Sequence, residues 1–201
     1  MRVIAIDGPV GAGKSTVARA LAVRLGLSHL DTGAMYRSVA LAALRRELDP
    51  GDVDGVAALA RDLELTVDDR VVLDGDDVTD AIRGPDVSGV VSQVAANPDV
   101  RTEMVRRQRA WVRDRDGGVV EGRDIGTVVF PAADLKVFLT ARDDARAARR
   151  RHDEDPEALA RRDHLDSNRA VSPLAAAPDA LVIDSTSLTV EEVVDAILEK
   201  L

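Results

Sequence analysis

The run Gly8-Pro9-Val10-Gly11-Ala12-Gly13-Lys14-Ser15, with Thr16 next in line, fits the pattern G-x-x-x-x-G-K-[ST] at every position. Its chemistry is that of a polyphosphate cradle. Glycines let consecutive backbone N–H groups turn inward around phosphate oxygens, and a helix starting at the end of the run adds the positive end of its dipole. The Lys14 ammonium suits the β and γ phosphates of a nucleoside triphosphate such as ATP, and the Ser15 hydroxyl suits Mg²⁺. A chance glycine-rich turn would carry the same letters, so the flanking elements decide between the two.

Those elements are present. Val3 to Ile6 reads as a short buried strand before the loop, and Val17, Ala20, Leu21 and Leu25 make one stripe of a helix after it, which Gly26 terminates. A strand at Leu27 to Leu30 follows, then helices over Ala34 to Leu48 and Val53 to Leu63 on either side of the Pro50-Gly51 break. From Leu65 to Val78, β-branched residues alternate with Asp and Gly, which predicts a small insertion of short antiparallel strands. A helix over Val87 to Ala96 comes next. Asn97-Pro98 then supplies a cap and a first-turn proline for a helix reaching about Arg113, with Gly117-Gly118 as its end. Further strands are expected at Val119 to Glu121, Leu135 to Leu139 and Ala180 to Ile183, with helices at Asp143 to Arg151, Pro156 to Asn168 and Val190 to Leu201. Alternating strands and helices imply an α/β fold, a parallel sheet covered on both faces with ligands at the carboxyl ends of its strands.

With 201 residues the chain suits one domain rather than two full-sized ones. Cysteine is absent, which removes disulfides, thiolate catalysis and cysteine-ligated zinc, and the three histidines show no H-x-x-x-H spacing. No apolar run approaches the ~18–20 residues that cross a bilayer, and the opening turns acidic at Asp7, so a cytoplasmic protein without a membrane partner is expected. The net charge of -9 disfavours a nucleic-acid partner. Yet 24 of the 27 basic residues are Arg, and 15 of these fall in Arg101 to Arg123 and Arg142 to Arg169, a clustering that suits a small polyanion because guanidinium forks match phosphate oxygens.

Switches, motors and small-molecule kinases all share such a phosphate loop. A guanine-selective switch should carry N-K-x-D, and the other lysines, Lys136 and Lys200, stand in Leu-Lys-Val and Glu-Lys-Leu. Arg142, Arg146, Arg149 and Arg150 recur at helical spacing, as do Arg162, Asp166 and Arg169. Both rows suit phosphate or sugar contacts, and a solvated basic helix or a surface salt-bridge row would look alike.

The segments D-T-G-A-M-Y-R (31–37), S-Q-V-A (92–95), R-R-Q-R-A (106–110), G-R-D-I-G-T-V-V-F-P (122–131) and N-R-A-V-S-P (168–173) together resemble the bacterial cytidylate kinase family across nearly the whole chain. The resemblance implies a P-loop kinase three-layer fold with a five-stranded parallel sheet, a small β-containing insertion that binds the nucleoside monophosphate, and a helical lid. The corresponding divisions are a core of 1–32, 98–141 and 171–201, an acceptor-binding part of 33–97 and a lid of 142–170. It implies transfer of the ATP γ-phosphoryl group to CMP or dCMP, with Mg²⁺, by a monomer.

The same resemblance assigns roles. Gly8 to Thr16 would bind ATP, with Lys14, Arg123, Arg146, Arg149 and Arg150 acting on the transferred group and Ser15 holding Mg²⁺, helped by Glu121 through water. Arg37 and Arg123 would hold the acceptor phosphate, Arg162 and Asp166 the ribose, and Arg169 the phosphates, with Thr32 bonding the acceptor. Ser92 and Arg101 would donate to the pyrimidine ring, and the Asp124 carboxylate would select the cytosine amino group over the uracil carbonyl. Tyr36 would pack beside the nucleotide, although a core position suits it equally. An acceptor that is already a phosphate has no proton to surrender, so positioning and charge neutralisation matter more than a general base. The competing readings are a P-loop kinase for another small acceptor, AMP, UMP or shikimate, and a nucleotide-dependent switch.

Overall fold

The computed structural model describes residues 1–150, 156–169 and 171–201, with Arg150, Pro156, Ala158, Leu159 and Arg162 described by backbone alone. The described chain divides into two compact units, one of residues 1–30 and 109–201 and the other of residues 31–108.

The first unit is built on strands β1 (Arg2–Asp7), β2 (His29–Asp31), β6 (Gly117–Gly122), β7 (Leu135–Thr140) and β8 (Leu181–Asp184), in the order β2-β6-β1-β7-β8. β1 pairs in parallel with β6 and with β7, and β7 pairs in parallel with β8, Ile6 lying beside Glu121 and Val137. Strand periodicity sorts the faces. Ile4 and Ile6, Val119, Val137 and Leu139, and Ile183 point to one side, where they bury against Val17, Ala18 and Leu21 of α1 (Lys14–Leu25) and Val193, Val194 and Ile197 of α8 (Val190–Leu198). Glu121 is two residues after Val119 and so faces the same side as α1. Asp7 has the opposite parity to Ile6 and faces away from it.

β1 is the central strand: the chain leaves it for β2 on one side of the sheet and later passes from β6 across β1 to β7 on the other, so its carboxyl end lies at the point where the winding of the sheet reverses. That is where ligands bind in open α/β sheets. Helices α6 (Asp143–Arg150) and α7 (Pro156–Ser167) follow β7.

The second unit holds α2 (Thr32–Arg45), α3 (Val53–Asp62), a three-stranded antiparallel sheet of β3 (Leu65–Val67), β4 (Val71–Leu73) and β5 (Asp76–Asp77), and α4 (Pro85–Ala96). The division from the first unit falls within α5 (Pro98–Asp114). The cap expected at Asn97 is made, its Oδ1 accepting from Asp99 N at 3.0 Å and Val100 N at 3.3 Å.

Three boundaries differ from expectation. Gly117 and Gly118, read as a helix end, open strand β6; Gly117 has φ 139°, and a Cβ there would strike the Arg2 carbonyl of the neighbouring strand. Helix α7 stops at Ser167, leaving Arg169 beyond it, and Ile125–Val129 forms a π-helical turn that no periodicity announced. Arg151, where the first Arg-rich helix was expected to end, and Ala170 of the N-R-A-V-S-P segment lie outside the described residues.

Candidate active site

The loop leaves β1 at Gly8, whose φ of 148° and close approach to Leu139 allow no side chain: a Cβ would collide with the Leu139 carbonyl. Helix α1 begins at Lys14. Because Glu121 faces α1, its carboxylate meets the first turn of that helix. Ser15 Oγ donates to Glu121 Oε2 at 2.9 Å, and His29 Nε2 lies 3.2 Å from Glu121 Oε1. Asp7, on the other face, accepts from Ile125 N at 2.8 Å and Gly126 N at 2.7 Å and so anchors the π-helical turn.

Both charged groups flanking the loop are perturbed. Burial pushes the Asp7 carboxyl up to about 6 against the lowering effect of its two backbone N–H donors. Burial, reinforced by the nearby Arg123 guanidinium, holds the Lys14 ammonium down to about 7, with Glu121, Asp7 and Asp166 opposing. A polyphosphate beside Lys14 supplies the opposite charge that returns it to the protonated form.

Four cations serve four successive loop carbonyls. Arg123 Nη1 donates to Gly8 O at 3.1 Å, Lys14 Nζ to Pro9 O at 2.8 Å, Arg146 Nη1 to Val10 O at 3.0 Å, and Arg149 Nη1 to Gly11 O at 3.3 Å. Arg146 and Arg149 of α6, placed in one row by their spacing, thus reach the loop. Arg149 is further braced on Ser185: its guanidinium donates to Ser185 Oγ at 3.1 Å and to the Ser185 carbonyl at 2.7 Å. Arg142 departs from that row: it precedes α6, and its exposed guanidinium pairs with Asp144. The Arg150 side chain lies outside the described residues.

On α7, Asp163 accepts from Val10 N at 3.1 Å and pairs with Arg146. Asp166 accepts from Arg123 Nε at 2.8 Å and lies 3.5 Å from Arg169 Nη2, so Arg169 folds back past the helix end onto Asp166. Arg162 belongs to this helix, and its side chain lies outside the described residues. Asp124 is buried and directly precedes the π-helical turn.

In the second unit, Asp31 caps α2 by accepting from Ala34 N at 3.1 Å, which buries Thr32 in the first turn. The Arg101 guanidinium sits 5.6 Å from the centre of the Tyr36 ring, a cation–π distance, and both residues are buried. Arg37 Nη1 donates to Ser88 Oγ at 3.0 Å and Ile82 O at 3.3 Å, while Ser92 lies on the buried side of α4. The unit therefore brings Tyr36 and Arg101 together and braces Arg37 separately.

The cytidylate kinase family model matches residues 4–201. The chain belongs to the cytidylate kinase family. It is 49% identical to the cytidylate kinase of Solibacter usitatus, over 98% of this chain and 90% of that one, and 49% identical to that of Geobacillus kaustophilus, over 98% and 94%. Among solved structures, a sugar kinase from Janibacter sp. superposes with a TM-score of 0.52 at 16% identity, covering 99% of this chain and 93% of that one. A Thermus thermophilus protein gives 0.53 at 19%, covering 100% and 97%. These likenesses agree with the P-loop kinase fold, and this family member is a nucleotide kinase.

Sequence reasoning overlooked four contributors in this cytidylate kinase family member: Asp7, His29, Asp163 and Ser185. Asp7 and Ser185 carry a faint signal, a polar residue where a buried strand ends. His29 and Asp163 carry none, since their partners are far away along the chain.

Proposed function

We propose that the protein transfers the γ-phosphoryl group of ATP to CMP and dCMP. The observation that carries this reading is the set of four cations, Arg123, Lys14, Arg146 and Arg149, seated on the consecutive carbonyls of Gly8 to Gly11 in a protein of net charge -9. Cations gathered on a glycine loop suit a reaction that brings anionic donor, transferred group and anionic acceptor together, and that needs charge stabilisation more than proton transfer. Lys14 and the loop amides, from Gly8 to Thr16, hold the ATP phosphates; Arg123, Arg146, Arg149 and Arg150 stabilise charge on the transferred group.

The donor set next to the loop fits Mg²⁺. Ser15 and Glu121 offer hard oxygen ligands, directly or through water, and among the described residues no cluster of three or more acidic or histidine side chains cages a metal. That composition matches an ion that keeps waters and takes phosphate oxygens as ligands. Mg²⁺ held there by Ser15 and, through water, by Glu121 would supply neutralising charge to the ATP phosphates.

On the acceptor side, Thr32, Tyr36, Arg37, Ser92 and Arg101 of the segment 33–97 and its borders, with Arg123, Asp124, Arg162, Asp166 and Arg169, bind the monophosphate. Residues 142–170 act as the lid over a core of 1–32, 98–141 and 171–201, in a cytoplasmic monomer acting on small molecules. Asp124 reads the base, because a carboxylate accepts from the cytosine amino group and repels the uracil carbonyl. The test is ADP release across an acceptor panel with ATP and Mg²⁺. CMP and dCMP should turn over faster than UMP, AMP or shikimate, and equal rates or acceptor-independent hydrolysis would refute the assignment. Asp124→Ala should narrow the CMP-to-UMP ratio by about 5- to 150-fold, since one hydrogen-bond discrimination is worth about 1–3 kcal/mol, while leaving ATP affinity in place.

A further inference from the structure

We infer that His29 is a positioning residue for the metal-binding corner of the phosphate loop, holding the Glu121 carboxylate in the orientation that aims Ser15. The inference rests on the reading of Ser15 and Glu121 as the Mg²⁺ site and adds to it a residue on a different strand.

The geometry is a chain of three groups. His29 Nε2 lies 3.2 Å from Glu121 Oε1, and Ser15 Oγ donates to Glu121 Oε2 at 2.9 Å. β2 and β6 are neighbours in the sheet, which is why residues 92 positions apart meet. The Glu121 side chain is 4% exposed and that of His29 14%, so water competes little for either. The carboxylate oxygen is the acceptor of this contact and Nε2 its donor.

The terminal torsion of a glutamate is broad and has no sharp staggered minimum. Donors on opposite oxygens, His29 on Oε1 and Ser15 on Oε2, fix the carboxylate plane. That plane matters to Ser15. A hydroxyl that ligates a cation must turn its proton elsewhere, and Glu121 Oε2 is the acceptor that receives it. Removing the His29 donor releases one side of the carboxylate, and the direction of the Ser15 lone pairs becomes less well defined. Outer-shell partners that orient ligands in this way typically contribute about 10–100-fold to metal affinity.

The experiment compares the affinity of the protein for a fluorescent ATP analogue in excess Mg²⁺ and in EDTA, for wild type, His29→Phe, His29→Gln and Ser15→Ala. Thermal unfolding of each variant runs alongside. Phenylalanine keeps the bulk and removes the donor, whereas the glutamine amide places an N–H at a reach similar to Nε2. His29→Phe should lower the Mg²⁺-dependent gain in affinity about tenfold with the EDTA value unchanged, and His29→Gln should restore most of it. The inference is overturned by a wild-type gain in His29→Phe, by an equal loss in EDTA, or by a His29→Gln protein that melts like wild type yet behaves like His29→Phe. A wild-type protein with no Mg²⁺-dependent gain, or one whose gain survives Ser15→Ala, instead removes the magnesium site on which the inference stands.

Discussion

Arg123 Nε donates to Asp166 Oδ2 at 2.8 Å while the same guanidinium reaches the Gly8 carbonyl at 3.1 Å, so one side chain ties helix α7 to the start of the phosphate loop. The pair is largely buried, at 18% and 8% side-chain exposure. Asp166 also faces Arg169, whose side chain is 6% exposed. Among the described residues, this one carboxylate faces two guanidinium groups.

That asymmetry orders two substitutions. Asp166→Ala removes the carboxylate that both arginines face and should cost about 3 kcal/mol, the lower part of the range for breaking a buried pair. Arg123→Ala leaves Asp166 its contact with Arg169 and should cost less. Urea unfolding of the two variants checks the order, and a larger loss for Arg123→Ala would contradict this account of the pair.

Lys14 predicts a pH signature. Its folded value is lowered from 10.5 to about 7, so between those limits the unfolded chain binds more protons, and stability should rise with pH across the window. The slope from this group is at most about 1.4 kcal/mol per pH unit, and Lys14→Met should remove it while lowering turnover by ~10²–10³. At pH 8 the nucleotide-free ammonium is mostly neutral, and ATP restores its charge, so binding should take up protons. Calorimetry in buffers of different ionisation enthalpy measures that uptake, and its persistence in Lys14→Met would exclude Lys14 as the source.

Gly8 admits no side chain. Gly8→Ala must move the Leu139 carbonyl or rotate the loop from φ 148°, and should cost a few kcal/mol or abolish ATP binding. Circular dichroism melting with nucleotide titration distinguishes the two, and a variant equal to wild type in both would show that the loop is not held against β7 as described.

How far the site was legible depended on how local it is. Gly8 to Ser15 was readable because its strand, turn and helix follow one another along the chain, and so was the capping role of Asn97. The helical rows were half readable. Spacing put Arg142, Arg146 and Arg149 in one row; Arg146 and Arg149 bond loop carbonyls, whereas α6 begins one residue after Arg142, at Asp143. The same rule ran Arg169 into α7, which ends at Ser167, because helix ends depend on backbone partners that spacing does not record. Gly117-Gly118 reads as a stop signal in isolation, and becomes strand because β1 pairs with it.

The amino-acid sequence alone determined the chemistry on offer: a polyphosphate loop, no thiol or histidine cluster, and arginines gathered on an acidic protein. Only the tertiary structure decided which groups meet. Neither the sheet order that sets β2 beside β6 nor the strand parity that turns Glu121 toward α1 and Asp7 away from it is a local property. The hydrogen bonds of His29, Ser15 and Glu121 operate within about 3 Å, a distance that residues far apart in the chain reach only once the sheet has formed.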